Sequence, residues 1–217
     1  MKLSETELQE LASQLRCPHG EDGIKVGEMM NFTNSNIILK TIESLSLKNG
    51  DVLLEIGPGN GQHVNDIIKA ASGIQYNGID ISEIMVEEAQ KTNVGLRNVS
   101  FSLSDGKRIP FESDAFDKLF TTNTIYFWKN PAGYMAEIAR VLKSGGIASI
   151  GFIPKSTMEK IPFAKYGFVL YDPKTVIGLL EDAGFIVEDI IADTELVLSN
   201  SGEKIEREIV IITAELK

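Results

Sequence analysis

The stretch LLEIGPGNGQHV, residues 53–64, constrains this chain more than any other. Glycines stand at alternate positions, Gly57, Gly59 and Gly61, directly behind an apolar run that ends in Glu55. Glycine accepts positive φ and lets a backbone approach another group closely. Three of them behind a strand are more than a turn requires, and they point to a ligand lying against the loop.

The rest of the chain places that loop in a fold. Ser4 and Glu7 form a capping-box pattern, and Leu8, Leu11, Ala12 and Leu15 follow at helical spacing. Cys17-Pro18 closes this helix, and HGEDG reads as a loop. A second helix is expected from about Asn34 to Leu47, ended by Asn49-Gly50. Strands are expected at 51–57, 74–81, 99–105, 116–123 and 147–153, with helices between them at about 61–71 and 82–91. Asn130-Pro131 opens a further helix, with Met135, Ile138, Ala139 and Leu142 on one face and Gly145-Gly146 as its stop. Residues 154–171 are irregular and read as a lid or substrate-facing insertion. Asp172-Pro173 starts a last helix that ends at Gly184, and two strands, FIVEDIIAD and EREIVIITAEL, follow across a hairpin SNSGEK. Alternation of this kind predicts an α/β fold: a seven-stranded, mostly parallel, doubly wound sheet with an antiparallel final strand, helices on both faces and an N-terminal helical cover over residues 1–35. The 217 residues suggest one domain.

Composition excludes several partners. The formal net charge is −10, and the lysines are scattered rather than gathered in a stripe, so no nucleic acid is expected. No run is long enough for a membrane span. The N-terminus reads as an acidic amphipathic helix rather than a signal peptide. One cysteine and two histidines leave no disulfide framework and little for a metal site, and the lone thiol fits a reducing, cytoplasmic compartment. Nothing in these residues specifies an oligomeric state.

In an open α/β sheet, ligands sit beyond the carboxyl ends of the strands. Asp80 ends the second strand, where a carboxylate can accept two hydrogen bonds from a ribose diol. Asp105 ends the third, followed by Gly106, and could accept from an adenine amine. The loop spacing is G-x-G-x-G, with Gln62 in place of the third glycine of the dinucleotide fingerprint, and it carries no Lys or Arg to meet a pyrophosphate. Adenosine without a phosphate chain is the better fit.

VLLEIGPGNG, GIDIS, SDGKRIPFESDAFDKLFTTN and EIARVLKSGGIASI together resemble the class I, Rossmann-like S-adenosylmethionine-dependent methyltransferases, in the small-molecule branch that includes ubiquinone/menaquinone-type enzymes. The resemblance covers roughly residues 36–153. It implies S-adenosyl-L-methionine as cofactor, with Gly57, Gly59 and Gly61 against its methionine and ribose, and Glu55 near the methionine ammonium. It further implies Asp80 on the ribose, Ile81 against the adenine, and Asp105 and Gly106 at the adenine edge. Asn123, Thr124, Tyr126, Phe127 and Trp128 would border the methyl group and substrate. The loop NTIYFW lacks the prolines of nucleobase amino-methyltransferases and the acids of arginine-directed or metal-dependent ones, which leaves a small organic acceptor. Tyr126 could move a proton, and His19 could act as a base if its loop closes. Asp117 reads as structural, His63 as packing in the first helical turn, and Cys17 as a small buried thiol. Two alternatives stay open: a protein that binds the cofactor without transfer, and a nicotinamide-dependent oxidoreductase.

Overall fold

A computed structural model describes residues 3–198 and 204–217. Seven strands form one sheet in the order β3-β2-β1-β4-β5-β7-β6. They are β1 (Val52–Ile56), β2 (Gln75–Asp80), β3 (Val99–Leu103), β4 (Phe116–Thr122), β5 (Leu142–Phe152), β6 (Phe185–Leu198) and β7 (Lys204–Leu216). The first five pair in parallel, and β7 runs antiparallel between β5 and β6. The expected fold class is thus observed. The hairpin tip, residues 199–203, lies outside the described residues.

Central strands buried on both faces should be apolar on both faces. Leu53 and Leu54 on β1 and Leu119 and Phe120 on β4 are fully buried. Their alternation divides the core. Leu54 and Leu119 join Met135 and Ile138 of α5 (Pro131–Val141) and Val176 and Leu180 of α7 (Pro173–Asp182) on one face. Leu53 and Phe120 join Val64 and Ile67 of α3 (Val64–Ala70) on the other.

Local capping begins the helices where the sequence signals stand. Ser4 caps α1 (Glu5–Arg16), its hydroxyl accepting from the Glu7 amide while Glu7 accepts from the Ser4 amide at 2.7 Å. Asn130 caps α5 and Asp172 caps α7, each followed by proline in the first turn. Ser82 caps α4 (Glu83–Thr92) and also donates to the Pro18 carbonyl at 2.5 Å, fastening the N-terminal segment to the sheet. Asp117 has the structural role expected of it, accepting from the Val52 amide at 2.9 Å and from Lys143 Nζ at 2.7 Å.

The second helix differs from expectation. HGEDG is not a loop: α2 runs from Gly20 to Ser44, with His19 at its N-cap and Glu21 and Asp22 in its first turn, where acids favour the helix dipole. Its interior glycines, Gly23 and Gly27, serve packing. A Cβ on Gly23 would come within 2.9 Å of the Pro18 carbonyl carbon, and one on Gly27 within 2.9 Å of Met85 Sδ. The α5 helix also stops earlier than expected, at Val141; Leu142 already pairs with Phe116, and the register shifts before Lys118 meets Ile147. Two short helical turns lie within 154–171, one of them α6 (Lys155–Met158) and the other at Pro162–Lys165; Met158, Ala164 and Tyr171 are buried in the core.

Strand β6 continues to Leu198, and this longer hairpin reaches α2. Arg207 on β7 donates from Nε to Glu195 at 2.6 Å, and from Nη2 to the Thr33 carbonyl at 2.7 Å and Asn34 Oδ1 at 3.2 Å. Glu195 accepts in turn from Asn36 Nδ2 at 2.7 Å. Further along α2, a Cβ on Gly151 would collide with the Thr41 hydroxyl. Gly151→Ala is therefore expected to cost about 1–3 kcal/mol in urea unfolding, as overpacked cores do, and Thr41→Ala in the same chain should recover part of that loss. A neutral Gly151→Ala would show that α2 does not press on β5.

Candidate active site

β1 and β2 end level with each other, Ile56 beside Ile79, so the loops that follow them open at the same edge of the sheet. Gly57, Gly59 and Gly61 have φ of +78°, +57° and +64°, where a Cβ is strained. Their surroundings differ. A Cβ on Gly57 would strike the Thr124 methyl, and one on Gly61 would lie 2.9 Å from Asn93 Nδ2 and 3.1 Å from the Phe101 ring. At Gly59 nothing lies within 4 Å. Gly59 is the open flank of the loop, while Gly57 and Gly61 let it close onto the protein.

Two carboxylates are buried beside this loop. Asp80 accepts from the Gly59 amide at 3.1 Å and the Ser82 amide at 2.9 Å. Burial pushes its carboxyl up to about 6, against the pull of those two amides and with a push from the Glu55 charge. Glu55 accepts from the Tyr76 hydroxyl and from His63 Nε2 at 2.8 Å. Burial draws the His63 pKa down, but the charge and hydrogen bond of Glu55 outweigh it and the net shift is upward. A carboxylate at the end of a buried strand needs a partner; His63, which reads in sequence as packing, is that partner.

The cleft above these groups measures about 1040 Å³ out to its open mouth. From α2 it is walled by Gly27, Met30, Asn31, Asn34 and Ile38, and from the end of β4 by Thr122, Asn123 and Thr124. Asn31 Nδ2 donates to Asn60 Oδ1 at 2.6 Å and to Gln62 Oε1 at 2.9 Å, pinning α2 to the glycine loop. Asn123 has φ +58°, and its amide donates to the Gly151 carbonyl at 2.9 Å. Thr122 Oγ1 is the only buried side-chain oxygen or nitrogen among the described residues that lacks a partner.

Residues 54–150 match the family described as "Methyltransferase domain". The chain is 29% identical over 129 residues to the uncharacterized methyltransferase YdaC of Bacillus subtilis, covering 59% of this chain and 71% of that protein. It is 26% identical over 143 residues to the demethylmenaquinone methyltransferase of Tropheryma whipplei, covering 59% of each. The chain thus spans from 59% to 71% of the length of these curated relatives. A solved S-adenosylmethionine-dependent methyltransferase of Aquifex aeolicus superposes with TM-score 0.67 at 22% identity over the whole of both chains, and shares the fold. Residues 54–150 thus carry a methyltransferase domain of the S-adenosylmethionine-dependent kind. S-adenosyl-L-methionine is the cofactor of such domains, and the nicotinamide alternative falls with that finding.

The residues fit this cofactor. A methyltransferase cofactor that carries a ribose diol and two cationic centres suits a cleft with two buried carboxylates, one glycine flank open to it and no Lys or Arg in the loop. Of the residues singled out in sequence, Glu55, Gly57, Gly59, Asp80, Ile81, Gly106 and Asn123 line the cleft together. Gly61 does not; it packs against Phe101 and Asn93. Asp105 does not either. It is exposed, and its carboxylate accepts from the amides of Lys107 at 2.8 Å and Arg108 at 3.0 Å, while its neighbour Ser104 takes the place on the wall.

Neither of the two catalytic candidates lines the cleft. His19 holds the N-cap of a continuous helix, with its side chain 63% exposed and beside Gln14 and Glu10, outside the cleft wall. Tyr126 is buried; its hydroxyl accepts from the Ile153 amide at 2.6 Å and donates toward Asn123 Oδ1 and the Ile153 carbonyl, both at 3.1 Å. Burial raises its pKa far from any working range. Residues 154–171 do not line the cleft; Phe168 packs on Phe127, centroids 4.6 Å apart. The family resemblance places MMNFTN, residues 29–34, across the cofactor pocket, and Met30, Asn31 and Asn34 do line the cleft. Sequence reasoning missed only that Ile38 continues this wall, because the helix was begun too late to show the i, i+4, i+8 spacing of Met30, Asn34 and Ile38. Tyr126→Phe should leave the Ile153 amide unpaired and lower stability by about 1–3 kcal/mol, seen as a lower urea midpoint. A loss of turnover with unchanged stability would return Tyr126 to a chemical role.

Proposed function

We propose that this chain transfers the methyl group of S-adenosylmethionine to a small organic acceptor that enters the cleft at the β4 end. The observation that carries the reading is Asp80, a buried carboxylate on the cleft wall beside the one glycine with nothing against it. Asp80 would hold the ribose hydroxyls, and its bond to the Gly59 amide sets the distance between acid and loop. Ile81, Ser104 and Gly106 would border the adenine. Glu55, oriented by His63 and Tyr76, would face the methionine ammonium. Small acceptors are supported by the Tropheryma relative, which is named for demethylmenaquinone.

When bound, the cofactor supplies an activated methyl group on a sulfonium, so the protein's task is to hold and desolvate the partners. Met30, Ile38, Phe127 and Trp128 give the cleft apolar walls that exclude water. An acceptor held on the axis of transfer gains much of its rate from that positioning. Neither Tyr126 nor His19 is assigned to proton transfer.

Calorimetric titration with S-adenosylhomocysteine tests the cofactor site. At a hundredfold excess over its dissociation constant the ligand should stabilise the fold by about 2.7 kcal/mol, and Asp80→Ala should remove most of the affinity. The pH dependence follows from Asp80. Its folded pKa, about 6, lies above the usual 3.8. Without ligand its contribution to stability is therefore full below the usual value and is lost as pH rises through about 6. Ribose hydroxyls need the carboxylate as acceptor, so affinity runs the other way and should fall about tenfold between pH 7 and pH 5. An Asp80→Asn variant should flatten that profile. No binding by folded wild type would sink the proposal, as would binding without methyl transfer to any acceptor in a broad panel of small carbon, oxygen, nitrogen and sulfur nucleophiles.

A further inference from the structure

The two sides of the cleft differ in the hydrogen bonds they still offer. Asn31 and Asn34 lie one turn apart on α2 and both line the cleft. Asn31 uses its amide nitrogen on Asn60 and Gln62, so its oxygen is what remains, on the side of the glycine loop. Asn34 is the reverse. A guanidinium has only donors, so the bond from Arg207 Nη2 identifies the Asn34 atom it touches as oxygen and leaves the NH2 for the cleft. Turning this amide over would set its NH2 against the guanidinium. The same cleft is lined, at the end of β4, by Thr122, whose buried hydroxyl has no partner.

Neither carboxylate of the cleft serves this end. Glu55 is engaged by Tyr76 and His63, and Asp80 by the amides of Gly59 and Ser82. An ammonium arriving beside Asn34 would meet another donor. An anionic oxygen would meet one amide N–H and one hydroxyl that can turn its proton toward it, and hydrogen bonds to a charged oxygen are the stronger kind. We propose that the β4 end of the cleft binds the acceptor through an anionic oxygen, a carboxylate, enolate or phenolate, held by the Asn34 amide and the Thr122 hydroxyl. This rests on the methyltransferase reading of the cleft. Arg207 acts through Asn34 as a positioning residue, and Glu195 holds Arg207 in place.

The test compares 3-phenylpropanoate with 3-phenylpropylamine, one skeleton with opposite charge, by calorimetry on protein saturated with S-adenosylhomocysteine. Wild type should bind the carboxylate at least about tenfold more tightly, and Asn34→Ala and Thr122→Val should each weaken it by about tenfold, the scale of a hydrogen bond to a charged group. Asn34→Asp, which replaces the donor by an acid, should reverse the preference. Affinity for S-adenosylhomocysteine should stay unchanged in all three variants, each checked for an unaltered unfolding midpoint. Equal binding of the two probes, or preference for the amine, overturns the proposal. So does loss of S-adenosylhomocysteine affinity in Asn34→Ala, which would assign that amide to the cofactor's own carboxylate. Failure of wild type to bind S-adenosylhomocysteine is a different result and sinks the reading beneath it.

Discussion

Taking a carboxylate out of water costs several kcal/mol unless donors replace its hydration, and the centre of this sheet does so twice. Glu55 and Asp80 end neighbouring parallel strands and are both nearly inaccessible. Each is satisfied by groups from other elements, and those bonds assemble the site. Asp80 draws in the Gly59 amide from the β1 loop and the Ser82 amide from the start of α4; Glu55 draws in Tyr76 from β2 and His63 from the turn into α3. The glycines serve the same arrangement. A loop with side chains at Gly57 or Gly61 could not lie close enough for Gly59 to reach Asp80.

The third wall of the cleft comes from farther away. α2 crosses the carboxyl edge of the sheet and is fixed at two points, by Asn31 to the glycine loop and by Thr33, Asn34 and Asn36 to the Arg207–Glu195 pair. A buried ion pair is weak support unless its remaining donors and acceptors are used. Here the guanidinium also reaches a carbonyl and an amide, and the carboxylate also takes an amide proton. The pair therefore fixes orientation as well as position. Its bond to Asn34 determines which atom of that side chain the cleft presents, and this gives the two sides of the cleft opposite hydrogen-bonding character.

The sheet was legible wherever burial repeats with the period of a strand and where a cap stands before a helix. Ser4, Ser82, Asn130 and Asp172 each cap the helix that their side chain announces. Asp80 and the glycine loop were legible for a related reason, since an acid or a run of glycines at a strand end has few uses apart from a ligand. HGEDG misled because two glycines within a few residues of a proline look like a turn. Both stand at the start of α2: Gly20 has a positive φ with nothing against it, and Gly23 is small because Pro18 presses against it. Asp105 misled because position at a strand end does not give direction, and its carboxylate turns back to its own loop. Tyr126 misled because a hydroxyl beside a binding loop suggests chemistry, whereas this one serves the backbone of Ile153.

The sequence by itself determined the order of strands and helices, the edge of the sheet where the cleft opens and the chemical class of the cofactor. These depend on local periodicity, on turn conformations open to glycine and on the kinds of side chain at strand ends, all of which can be read from neighbouring residues. Only the tertiary structure decided which glycine is open, which acid faces the cleft and what orients Asn34. Those are set by contacts between residues as distant as Asn34 and Arg207, and the atom a side chain presents depends on which partner takes its other end.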